Sequence, residues 1–142
     1  MKKYISLILI FLLVGCAEIA TSVAINTGVQ LVGEKYLQDI LTSIEDAKQF
    51  TKDIKRFEEF VTDKKTYRAV EHCIEIIAEA INRIKKIDNN FDIVNAEKIV
   101  GMRNRVIHSY DNVNEELIWG VVVKHLSELK KEILNLINTF DK

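Results

Sequence analysis

From Lys35 onward, apolar and charged positions alternate with the three-and-four spacing of amphipathic helices. Tyr36, Ile40, Leu41 and Ile44, with Phe50 further along, fit one apolar stripe with charged residues between them, so the spacing predicts a first helix over about Lys35 to Thr51. A short segment, Phe57 to Val61, precedes Thr62 and Asp63, either of which can cap the next helix with its side-chain oxygen. That next helix has the clearest periodicity in the chain, since Val70, Cys73, Ile74, Ile77, Ala80, Ile81 and Ile84 recur at steps of three and four. Asp88-Asn89-Asn90 ends it, and Asp92 or Asn95 starts another helix over about Ala96 to Ser109. A last helix is predicted from about Asn114 to Phe140, with Ile118, Val121, Val122, Leu126, Leu129, Ile133, Leu136 and Ile137 on one face. Trp119 widens that face enough to suggest a second contact, such as a subunit. Short connections favour antiparallel neighbours, so the expected fold is all-α, an up-and-down bundle of four long helices and one short one.

Composition sharpens this picture. The 142 residues include no proline and only five glycines, which leaves long helices unbroken and supplies little turn chemistry for an all-β fold. That length suits one core. Twenty Lys and Arg against 21 Asp and Glu leave a net charge of -1, so any contact with nucleic acid has to be local. The basic runs Lys52-Lys55-Arg56, Lys64-Lys65-Arg68 and Arg83-Lys85-Lys86 could guide an RNA backbone by local charge, but with acidic neighbours they read first as solvated faces. Cys16 and Cys73 form no metal-ligand spacing with His72, His108 or His125, so neither a zinc site nor a disulfide is expected, and no cofactor is called for. Cys73 belongs to an apolar stripe as a small hydrophobe, His72 falls off that stripe, and His125 lies near the last stripe as a packing histidine.

The chain divides by pattern into 1–34 and 35–142. Met1-Lys2-Lys3, the apolar run Tyr4 to Val14, then Gly15 and Cys16 have the layout of a secretory leader. Leu13-Val14-Gly15-Cys16 resembles a lipobox, which makes Cys16 a candidate for lipidation and points to membrane attachment. About a dozen apolar residues are too few to span a bilayer as a helix.

One stretch carries chemistry: Gly101-Met102-Arg103-Asn104-Arg105-Val106-Ile107-His108-Ser109-Tyr110. At about 100° per residue, Ile99, Val100, Met102, Val106 and Ile107 define an apolar arc with Arg103 in its middle. An unpaired guanidinium buried there costs several kcal/mol by desolvation, so Arg103 has to snorkel to solvent, find a carboxylate partner, or face a cleft or subunit interface that admits an anion. Asn104 and His108, four residues apart, are neighbours on the polar flank, and Tyr110 shares the Arg103 face if the helix continues. The set suffices to cleave RNA. His108 can move a proton near neutral pH, Arg103 can hold the phosphate, and the RNA's own 2′-hydroxyl is the nucleophile, so neither a metal nor a protein nucleophile is needed.

Arg103, His108 and Tyr110 are spaced as Arg-x4-His-x-Tyr, and this resembles the motif of HepT-like proteins in the HEPN superfamily. The Gly-Met-Arg-Asn run, the Ile118-Trp119 start of the last helix and the early helix from Tyr36 to Ile44 are similar too, and the likeness covers about Lys35 to Ile137. The resemblance implies a HEPN-type bundle and a metal-independent endoribonuclease toxin of a toxin-antitoxin system. It implies a cytoplasmic homodimer in which the two motifs meet near the subunit interface, and a minimal nucleotidyltransferase as antitoxin. Arg103 and His108 carry over as catalytic, Asn104 as supporting and Tyr110 as the site of regulatory AMPylation. The rival expectations are a non-catalytic HEPN binding or dimerisation module anchored at the membrane, and a domain that grips phosphates without cleaving them.

Overall fold

A computed structural model of the chain describes residues 28, 30–88, 93–108 and 114–140. Two compact units are distinguished, Met1–Gly33 and Glu34–Lys142. In the first, the described residues are helical and Leu31 and Val32 are exposed. Everything that follows concerns the second unit.

Residues 30–51 are helical, and the part from Glu34 onward is α1. It is followed by α2 (Phe57–Thr62), α3 (Lys64–Ile87), α4 (Val94–His108), α5 (Asn114–Gly120), a π-helical turn (Val121–His125) and α6 (Leu126–Phe140). No strand occurs among the described residues, and the architecture is the expected all-α bundle. Its long members are α1, α3, α4 and the run from α5 to α6, with α2 as the short one.

The stripe of α3 is the floor of the core. Val70, Cys73, Ile74, Ile77, Ala80, Ile81 and Ile84 are all buried, joined by Tyr67 and Ala78. Against it lie Leu37, Ile40, Ile44 and Ala47 of α1, Phe60 of α2, Ile99 of α4, Ile118 of α5, Val121 of the π turn, and Leu126, Leu129 and Ile133 of α6. Each helix contributes buried apolar residues to this core, and their burial is the main source of stability in such a bundle. Asp63 of the candidate pair caps α3, accepting from the Thr66 backbone N–H at 3.1 Å and from the Thr66 hydroxyl at 2.6 Å. Glu132 of α6 accepts from the Asn95 backbone N–H at 3.3 Å and from its side-chain amide at 2.8 Å, which ties the start of α4 to α6.

Three expectations change. Phe50 is 47% exposed, while Ala47 and Thr51 complete the α1 stripe. Phe50 lies six residues beyond Ile44, about 240° around the axis, whereas Ala47 and Thr51 lie three and seven beyond it. The last helix is not uniformly α: the Leu126 N–H bonds to the Val121 carbonyl five residues back. Trp119 meets Phe60 inside the chain, with ring centroids 5.1 Å apart, and Phe60 in turn meets Tyr67 edge-on at 5.7 Å. That contact is made within the chain, and Trp119 stays half-buried.

Candidate active site on α4

Arg103 stands four residues after the fully buried Ile99, one helical turn further along the same side of α4. Its side chain is half-buried, and the Nε atom is buried with no hydrogen-bond partner among the described residues. An N–H held in this way costs about 1–3 kcal/mol until an acceptor reaches it.

The guanidinium lines a cleft of about 480 Å³ walled by Tyr36 and Asp39 of α1 and by Glu75, Ile76, Glu79 and Ala80 of α3. The cleft places three carboxylates near Arg103, and none of them pairs with it. Asp39 pairs with Lys35 at 2.6 Å and Glu79 with Arg83 at 2.7 Å, while Glu75 lies 3.5 Å from the His72 imidazole. Arg103 forms no ion pair with them, although its field reaches Glu79: the carboxyl there is held below its ordinary value chiefly by the hydrogen bond from Arg83, with smaller help from Arg103. The cation therefore faces the cleft with hydrogen-bonding capacity to spare.

Asn104 is exposed, about 100° around the axis from Arg103. His108 is the last residue of α4, and its backbone lies about 140° around from Arg103, so one copy of the helix does not present the two side by side. The His108 side chain lies outside the described residues, as do those of Met102, Val106 and Ile107, and all of Ser109, Tyr110 and Cys16. Gly101, Asn104 and His108 follow one another at steps of three and four and share a face of α4. A Cβ added at Gly101 would meet nothing within 4 Å.

Cys73 is buried, and burial pushes its thiol above the ordinary range, which makes it a poor nucleophile. His72 is exposed. His125 is half-buried and lines a second cleft of about 300 Å³ with Lys98, Glu116 and Lys124. Most of the basic runs are matched by carboxylates, through Arg56–Glu59, Arg68–Glu71, Lys64–Glu115 and Lys85–Glu97. Among the described residues no group of three or more His, Cys, Asp or Glu is placed to hold a metal ion. Also among them, no helix is long and apolar enough to cross a membrane.

Sequence reasoning singled out Arg103 and missed the residues opposite it. Tyr36 belongs to the apolar stripe of α1 and Asp39 to the charged residues between its members, Glu75 and Glu79 were not singled out, and no local signal joins positions on α1 to positions on α3. The four-residue step from Glu75 to Glu79 was the one hint that two carboxylates share a face.

The family model described as ribonuclease HepT-like matches residues 40–136, from α1 to α6. The chain belongs to the ribonuclease HepT-like family. As a HepT-like chain it is a ribonuclease with the helical fold of the HEPN class. It is similar to a protein of Methanocaldococcus jannaschii named as a candidate RNase, with 33% identity over 108 residues that cover 75% of this chain and 92% of the relative. A candidate RNase of Caldanaerobacter subterraneus is 35% identical over 103 residues, covering 72% and 91%. A protein of Thermococcus cleftensis, named as a candidate ribonuclease HepT, is 38% identical over 99 residues, covering 67% and 86%. No solved structure matches the HepT-like chain.

Proposed function

We propose that the chain is a metal-independent endoribonuclease toxin in which Arg103 and His108 cleave RNA through attack by the 2′-hydroxyl on the adjacent phosphorus. The observation that carries this reading is the Arg103 guanidinium, held at a cleft with a buried, unpartnered N–H while the nearby carboxylates are occupied by other cations. In the mechanism His108 removes the 2′-hydroxyl proton or returns one to the 5′-oxygen that leaves. Arg103 binds the phosphate and stabilises the charge that develops on it, and Asn104 supports the polar flank. DNA, lacking the 2′-hydroxyl, is inert.

The active form in this reading is a homodimer. Arg103 and His108 diverge by about 140° on one helix, and a second copy lets the two motifs complete one another. The open face at Gly101 and Asn104 gives it room to approach. Tyr110, two residues beyond His108, is the site at which a minimal nucleotidyltransferase antitoxin transfers AMP. The added phosphate would compete with RNA for Arg103. The catalytic domain works in the cytoplasm, and Cys16 offers a route to the membrane.

The test is cleavage of labelled RNA by the full-length chain in EDTA. Wild type is expected to cleave, and Arg103→Ala and His108→Ala, each folded by circular dichroism, to lose about 10²- to 10⁴-fold in rate. Cleavage that needs added metal, or that survives both substitutions, overturns the mechanism.

A further inference from the structure

We propose that the cleft beside Arg103 is a nucleobase subsite that prefers bases with an exocyclic amino group, with Tyr36 as the stacking surface and Asp39 and Glu75 as the groups that read the base edge. The inference rests on the ribonuclease reading for the identity of the ligand. Tyr36 and Asp39 precede residues 40–136, the stretch matched by the family model, while Glu75 and Arg103 lie within it.

The character of the cleft selects the occupant. Its walls combine an aromatic ring, Tyr36, with the apolar Ile76 and Ala80, and its volume of about 480 Å³ is ample for a planar base. Three carboxylates also border it. A phosphate seated among them would meet like charge, so the phosphodiester belongs at the Arg103 guanidinium and the neutral base belongs inside. Carboxylates only accept hydrogen bonds. Cytosine N4, adenine N6 and the N1–N2 edge of guanine are donors that suit them, whereas uracil offers a single N3–H flanked by the O2 and O4 acceptors, which face like charge and disfavour it.

Asp39 and Glu75 each keep acceptor capacity for the base beside the neighbour they already have. Asp39 gives one oxygen, Oδ2, to Lys35, and its side chain is 40% exposed, leaving Oδ1 free of that contact. Glu75 has the longest of these contacts, 3.5 Å to the His72 imidazole, and its side chain is 49% exposed. Glu79 is the most firmly held, at 2.7 Å to Arg83, and serves the electrostatic frame rather than the base. Tyr36 is half-buried, with the Lys35 ammonium 5.5 Å from its ring centroid, so the ring is steadied from one side. A base stacked on that ring sits beside Arg103, the residue assigned to the phosphate.

The experiment compares cleavage of short RNAs with a single permitted ribonucleotide, cytidine, adenosine, guanosine or uridine in an otherwise deoxy strand, by the full-length chain. The expected result is kcat/KM on the order of ten-fold higher at the amino-bearing bases than at uridine. Tyr36→Leu should raise KM on the order of ten-fold at every base with little change in kcat, while Tyr36→Phe, which keeps the ring, stays close to wild type. Asp39→Asn combined with Glu75→Gln should bring uridine level with cytidine, because an amide offers both donor and acceptor. Wild-type cleavage without base preference, or a Tyr36→Leu enzyme that is folded with unchanged KM, overturns the subsite and leaves the ribonuclease reading standing. A wild type that cleaves none of the strands overturns the ribonuclease reading. In that case, equal affinity for CMP and UMP by calorimetry overturns the subsite as well, and tighter binding of CMP that is lost in Tyr36→Leu upholds it.

Discussion

A single misplaced charge is the most informative residue in this chain. Arg103 interrupts an apolar arc, and that anomaly was visible before any tertiary contact was known. The sequence could not say whether the guanidinium would be satisfied by a carboxylate, and the answer depended on where Lys35 and Arg83 place their own charges. Titration at the other end of the bundle follows the same local logic. The Asp63 carboxyl is held below its ordinary 3.8 by the Thr66 hydroxyl and then by the Thr66 backbone N–H. Glu59 is held below its ordinary 4.5 by the Lys55 backbone N–H and then by the Arg56 side chain. A depressed carboxylate stabilises the fold above its unfolded pKa, and that contribution disappears as pH falls through the folded one. Urea unfolding is therefore expected to show an Asp63- and Glu59-dependent stability that is flat near neutrality and declines below about pH 4.5. A double variant, Asp63→Asn with Glu59→Gln, should show a shallower acid decline than wild type, and parallel curves would exclude the two groups as its source.

At the scale of elements, α3 was legible because its face is buried along its whole length, so burial and periodicity coincide residue by residue. The run from α5 to α6 was legible as helix but not as helix with a π turn. Val121 and Leu126 are both buried though five residues apart, an interval that would put them about 140° apart on a regular α-helix. The i to i+5 bond of the turn brings both to the core while Val123 is left 58% exposed. Removing one exposed residue from the turn should thus restore a regular α-helix and keep the apolar register. Deleting Val123 is expected to leave helical content unchanged and the melting temperature close to wild type. Deleting Lys131 from regular α6 rotates everything after it by about 100°, taking Ile133 off the core, and should unfold the bundle or lower the melting temperature severely. Equal tolerance of the two deletions would remove the register argument. Phe50 is the complementary lesson, an apolar residue near a stripe whose exact phase, set by Ala47 and Thr51, leaves it outside.

For the whole molecule, the unit Glu34–Lys142 contains the buried core and the site proposed for catalysis, while the proposed lipidation of Cys16 lies outside the described residues. The two proposals assign the chain different surroundings, and fractionation separates them. If Cys16 is lipidated, a tagged full-length chain is recovered with membranes and Cys16→Ala releases it to the soluble fraction. Recovery in the soluble fraction for both forms would leave Cys16 without that role. What the sequence by itself determined was the fold class, most helix limits, the buried stripes and the motif on α4, because each follows from spacing along one helix or from the chemistry of one short segment. Only the tertiary structure decided that Arg103 opens onto a cleft, that Tyr36, Asp39 and Glu75 stand across it, and that the neighbouring carboxylates are already paired. Those facts depend on how α1, α3 and α4 lie together in space, and no local periodicity encodes which side chains will meet across three helices.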